Sequence, residues 1–132
     1  MQKSKLLTIA LIVGVLIIFF AFRGRLPQQN QTEGKEITVI IDYGNGTMRR
    51  FQGDGIAFMK DENAWSVLQR AAASASIPLE VASGFYPTVI NGKHNGEEGK
   101  RWALYVNGER QINNAPLEVV IKKGDEVVWR FE

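Results

Sequence analysis

The chain has 132 residues, 45% of them hydrophobic, with no cysteine and a formal net charge of +2. That length holds one domain and falls short of two, and without a thiol there is no disulfide framework, no lipid attachment at cysteine and no thiolate nucleophile. From Leu26 onward 12 basic residues stand against 14 acidic ones, so the body of the chain lacks the positive field that marks a nucleic-acid binder.

Residues Leu6 to Phe22 form an uncharged run of 17, roughly 25 Å long as a helix. This is at the short end of what crosses a hydrocarbon core. Only a helix satisfies its own backbone groups there, so the β-branched residues in the run do not argue for a strand. A cleaved signal peptide is the alternative, but the run ends with Phe19 and Ala21 at the spacing of the cleavage slot, and Phe19 is too large for it. The expectation is an uncleaved, single-pass anchor over residues 1–25. Its basic flanks, Lys3 and Lys5 before and Arg23 and Arg25 after, suit anionic headgroups and nearly balance in the positive-inside sense. Residues 26–35 are polar, contain Pro27 and Gly34, and read as a flexible stalk. Residues 36–132 are then the folded domain, large enough for one modest core.

Within that domain the β-branched stretch Ile37–Asp42 reads as a buried strand. Asn45-Gly46 reads as a primed turn, and Thr47–Gln52 as the returning strand. Asn63 is placed to cap a helix starting at Ala64, with Asp61 and Glu62 near its positive end. Trp65, Leu68 and Ala72 form its expected buried stripe, and Pro78 ends it. Leu79–Ala82 and Thr88–Ile90 are short strand candidates, and Asn91–Lys100 is a polar, glycine-rich loop. Trp102–Val106, the Asn107-Gly108 turn and Glu109–Ile112 make a second hairpin. Glu118–Ile121 reads as a further strand, and in the closing strand Val127, Trp129 and Phe131 share a face. A hairpin, one helix and several more strands fit an α+β fold in which a helix covers one face of a mixed sheet.

Three segments carry a family likeness: Thr88-Val-Ile-Asn-Gly92, Trp102-Ala-Leu-Tyr-Val-Asn-Gly108 and Ile121-Lys-Lys-Gly-Asp-Glu-Val-Val-Trp129. Their order resembles a domain-of-unknown-function family related to the C-terminal β-domain of transcobalamin and intrinsic factor. The resemblance implies a ubiquitin-like β-grasp fold, display outside the cell membrane and a role in binding a small ligand. In cobalamin carriers a helical barrel holds the vitamin while the β-domain closes over it. No room exists for that barrel here, so a cobalamin or other corrinoid would be covered only together with a partner protein, and the family name does not itself carry an activity. A non-catalytic protein-interaction or structural module of a surface assembly is the competing function.

A ligand site is expected where Phe85–Asn91 meets Trp102 and Asn107. Tyr86, Pro87, Ile90, Trp102 and Tyr105 would supply apolar and aromatic surface, and Asn91 and Asn107 side-chain hydrogen bonds. Trp102 and Tyr105 are three apart and cannot point the same way in a regular strand. The bland reading makes the aromatics core residues and both asparagines turn formers. His94 is the only histidine and has no cysteine to join it in an N/S metal site, so no metal site is expected. Asp42, Asp54, Asp61, Glu62, Glu97 and Glu98 are scattered and read as solvated, and no serine has a base placed by a motif, so no enzyme is expected. Sulfur carriers and ubiquitin-like modifiers need a Gly-Gly carboxyl end, whereas this sequence closes on Arg130-Phe131-Glu132. No cofactor is expected apart from the corrinoid as a ligand.

Overall fold

Alternation of apolar and polar residues decides which side of each strand is buried. The computed structural model describes residues 36–132. In β1 (Thr38–Asp42) Val39 and Ile41 turn inward, as do Val127, Trp129 and Phe131 of β8 (Glu126–Phe131), all between 0% and 1% exposed. β1 and β8 run parallel at the centre of a five-stranded sheet of order β2-β1-β8-β6-β7. The flanking pairs are antiparallel: β2 (Met48–Phe51) on β1, β6 (Trp102–Val106) on β8, and β7 (Glu109–Arg110) on β6. A second sheet of three strands joins β3 (Leu79–Val81), β4 (Pro87–Ile90) and β5 (Lys93–His94). The fold is mixed α+β. The anchor expected over Leu6–Phe22 and the stalk over 26–35 lie outside the described residues, and no helix among the described residues is long and apolar enough to cross a membrane.

One α-helix, α1 (Ala64–Ser74), covers the inward face of the large sheet. Asn63 caps it as the sequence implied, its Oδ1 accepting from Ser66 N–H at 2.9 Å while Ser66 Oγ accepts from Asn63 N–H at 3.1 Å. The buried stripe is Ala64, Val67, Leu68, Ala71 and Ala72. Trp65, expected in that stripe, is only half-buried and rests on Phe85, with ring centroids 5.3 Å apart. Small alanines let the helix lie close to the sheet, and the bulky indole is left at the margin. The helix ends before Pro78 in a Schellman arrangement: Ser76 takes the left-handed conformation (φ 53°), Ser76 N–H donates to Ala73 O at 3.2 Å and Ile77 N–H to Ala72 O at 2.8 Å.

Four other expectations are corrected. The segment Glu118–Ile121 is not a strand; it forms a single bridge, Val120 with Asn63. Its backbone serves the start of α1 instead: Ala64 N–H donates to Val119 O and Ile121 N–H to Glu62 O, both at 3.0 Å. In the first hairpin it is Gly44 (φ 70°) and Gly46 (φ 85°) that have positive φ, and Asn45 lies between them, so Asn45-Gly46 is not a two-residue primed turn. The Asn91–Lys100 stretch is ordered: Asn91-Gly92 turns β4 into β5, with φ of 52° and 77°, as Asn107-Gly108 turns β6 into β7, with φ of 51° and 81°. Finally, Glu62 is buried, its carboxylate 2.9 Å from Arg70 Nη2. The chain before α1 folds under the helix end and takes this carboxylate inward with it.

Candidate functional site

The ladder between β6 and β8 fixes what the free edge of β6 presents. Arg101 and Glu132 exchange backbone hydrogen bonds of 2.7 and 3.0 Å. The odd-numbered residues of β6 therefore turn their backbone groups toward β8, and Trp102, Leu104 and Val106 turn theirs away. β7 is only two residues long, and Gln111 N–H donates to Leu104 O at 2.9 Å as the chain leaves it. Beyond that point the edge of β6 opens on a groove of about 370 Å³, lined by Tyr86, Arg101–Leu104, Arg110–Ile112, Asn114, Pro116 and Trp129. Its lining carries two guanidinium groups and two carboxamides, with no carboxylate.

Trp129 lines the groove from inside, 1% exposed, and its indole Nε1 finds no hydrogen-bond partner among the described residues. Arg110 Nη1 lies 3.4 Å from Glu132 Oε1, which also accepts the Tyr105 hydroxyl at 2.7 Å. On the rim the aromatic Phe85 holds a left-handed backbone (φ 59°), an unusual conformation for a bulky side chain, within a turn closed by Phe85 N–H to Ala82 O and Ala82 N–H to Tyr86 O. That turn leaves Phe85 and Tyr86 exposed, as are Val81, Ile112 and Leu117.

Of the residues singled out in the sequence, the groove unites Tyr86 and Trp102. Trp102 is a core residue: 8% exposed, packed on Phe131 at 5.2 Å and edge-on to Tyr43 at 5.9 Å, with Nε1 donating to Lys93 O at 3.0 Å. Its ring faces are occupied by neighbours. Tyr105 points to the other face of the sheet, where the Arg130 guanidinium lies 5.2 Å from its ring centroid. The hydrogen bond to Glu132 is the main cause that holds the Tyr105 phenol above its ordinary pKa. Pro87 and Ile90 are buried, the latter completely. Asn91 sits in its turn, and the Asn107 side chain ties two turns together, with Nδ2 donating to Asp125 Oδ1 and Oδ1 accepting from Glu126 N–H, both at 2.9 Å. His94 is exposed, and its N–H donates to Glu97 Oε1 at 3.1 Å. No three His, Asp or Glu side chains converge on a metal-sized site among the described residues.

Sequence reasoning missed Arg101, Gln111, Asn114 and Trp129. Arg101 directly precedes the Trp102 strand, and an arginine at the mouth of an edge strand is the one signal that could have drawn attention to it. The other three enter the groove only through the path of the chain after β7.

No curated protein sequence matches the chain. Among solved structures, a crystal structure of a "putative metal binding protein" from Ruminococcus gnavus ATCC 29149 superposes with a TM-score of 0.55. It is 19% identical in sequence, and the match covers 74% of this chain and 96% of that one. At that identity the likeness concerns the fold alone. Residues 61–132, from the turn before α1 to the end of β8, match the family "Domain of unknown function (DUF4430)", and since that match spans more than half of the sequence, the chain belongs to this family.

Proposed function

We propose that the chain is a non-catalytic binding domain of β-grasp type, tethered by Leu6–Phe22 to the cell membrane and displayed on its outer side, and that the groove beside β6 receives a small organic ligand. The β-grasp reading is supported by the initial hairpin, the single helix across the sheet, and the last strand lying parallel to the first at the centre. The observation that carries the functional reading is the groove itself. It combines apolar walls (Tyr86, Ile112, Pro116) with a few converging polar groups, the usual make-up of a small-molecule site. The likeness of the sequence segments to the transcobalamin β-domain favours a corrinoid, covered on its other side by a partner protein. Cobalt inside a corrinoid arrives with its own equatorial ligands and needs no cluster of protein side chains, in keeping with the metal named for the Ruminococcus gnavus protein.

A volume of about 370 Å³ admits one edge or side arm of a corrinoid and not the whole ring, so the partner is part of the reading. Titrating the full chain in detergent micelles into cyanocobalamin, and separately into dicyanocobinamide, tests it by absorption difference spectra and calorimetry. Saturable binding in the micromolar to millimolar range is expected, weak because half of the enclosure is missing. Unchanged spectra and no heat with either corrinoid would remove that ligand.

A protein-interaction module is the second reading. The exposed Val81, Phe85, Tyr86, Ile112 and Leu117 favour it, since exposed apolar surface on a small domain is where partners dock. Both readings use the same rim.

A further inference from the structure

The lining of the groove is one-sided in its chemistry, and this narrows the ligand. This inference rests on the small-ligand reading above and adds the chemical class. Arg101, Arg110, Gln111 and Asn114 bring donors, two of them charged, and no carboxylate lines the groove to balance them. Arg110 is within ion-pair distance of Glu132, whereas Arg101 has no ion-pair partner among the described residues. Independently, Trp129 lines the same groove with a buried indole N–H that no described residue accepts. Buried donors are almost always paired, and an exception at a cavity wall marks where a partner from outside is missing. An indole N–H donates and never accepts, so the missing group is an acceptor. We propose that the groove takes an anionic oxygen group, a carboxylate or a phosphate ester, carried on a flat apolar body. The anion is received by the Trp129 Nε1–H and the Arg101 guanidinium, and the body lies against Tyr86, Ile112 and Pro116. A charge-assisted bond from each donor would give the anion a clear preference over a neutral group of the same shape.

The test uses the full chain in detergent micelles with nitrogen-15 in its tryptophans, whose three indole N–H resonances, from Trp65, Trp102 and Trp129, report separately. The probes are 2-naphthoate, 2-naphthyl phosphate and the neutral 2-naphthamide. At least one of the two anions is expected to move the Trp129 indole resonance downfield, well beyond any movement of Trp65 or Trp102, and to bind about tenfold or more tightly than the amide. The tighter of the two identifies the anionic group. Arg101→Gln, at an exposed position that leaves the fold intact, is expected to weaken anion binding by about tenfold while leaving the amide unchanged. Equal affinity for acid and amide, with the Trp129 resonance moving for both, would overturn the anion proposal and leave the groove as a ligand site. A stationary Trp129 resonance with every probe would overturn the proposal, and joined to absent corrinoid binding it would bring down the small-ligand reading as well.

Discussion

Replacing Gly44 by alanine destabilises the domain by about 3 kcal/mol, while the same change two residues on, at Gly46, costs only about 1 kcal/mol. Both glycines have positive φ, 70° and 85°, so each alanine incurs the left-handed backbone penalty. They differ in surroundings. A Cβ on Gly44 falls on the carbonyl oxygen of Phe131, a backbone atom that cannot swing aside because β8 is locked between β1 and β6. A Cβ on Gly46 meets nothing within 4 Å. The close approach has a structural purpose: the β1–β2 loop folds back over the end of β8, and Gly44 N–H donates to Asp42 Oδ1 at 3.0 Å. Urea denaturation of both variants checks the pair. Equal losses at the two positions would mean that backbone conformation alone, and not the contact with β8, makes Gly44 necessary.

Glu62→Ala has a comparable effect by another route. The Glu62 side chain is 4% exposed and that of Arg70 is 27% exposed, and their charged atoms are 2.9 Å apart. Arg70 Nη1 also donates to Ala57 O at 2.8 Å, and Ser66 Oγ donates to Glu62 Oε2 at 3.3 Å. The ion pair is close, yet Arg70 Nε and Nη2 have no well-directed acceptor, so the pair is held by charge more than by hydrogen-bond geometry. Truncating the carboxylate strands a largely buried guanidinium and costs about 3 kcal/mol. Most of that cost belongs to the stranded cation, so Arg70→Met on the Glu62→Ala background should recover a large part of it. A loss below about 1 kcal/mol in Glu62→Ala would show that Arg70 escapes to solvent when its partner is removed.

The sequence was most legible where one periodicity ran unbroken. Val127, Trp129 and Phe131 alternate strictly and form a strand with one buried face, and Trp102–Val106 forms a strand over the residues expected. Asn107-Gly108 turned where its two left-handed positions required. Alternation misled at Glu118–Ile121. Val119 and Ile121 are buried and Val120 is exposed, as in a strand, but the backbone hydrogen bonds go to the start of α1. Side-chain pattern reports which face is buried and is silent about which backbone pairs with which. Asn91-Gly92 carries the same dipeptide signal as Asn107-Gly108, yet the polar residues after it hid the two-residue strand β5.

The candidate site was less legible than the fold for a related reason. Tyr86 and Trp102 could be singled out because aromatic residues stand out in a sequence. Arg101, Gln111, Asn114 and Trp129 become neighbours only when β7 stops short and the next segment passes the open edge of β6. Asn91 and Asn107 looked like ligand groups but have backbone tasks in their turns. Trp102 offers the groove an edge and keeps its faces for Phe131 and Tyr43.

Backbone amide shifts recorded on the full chain during a titration with dicyanocobinamide address the groove most directly. Perturbations are expected to centre on Arg101–Leu104, Gln111–Asn114 and the Trp129 indole, and to leave β2 and the Arg130–Tyr105 face of the sheet unmoved. Shifts centred on that opposite face, or on the exposed edge of β2, would contradict the assignment of the groove as the binding site.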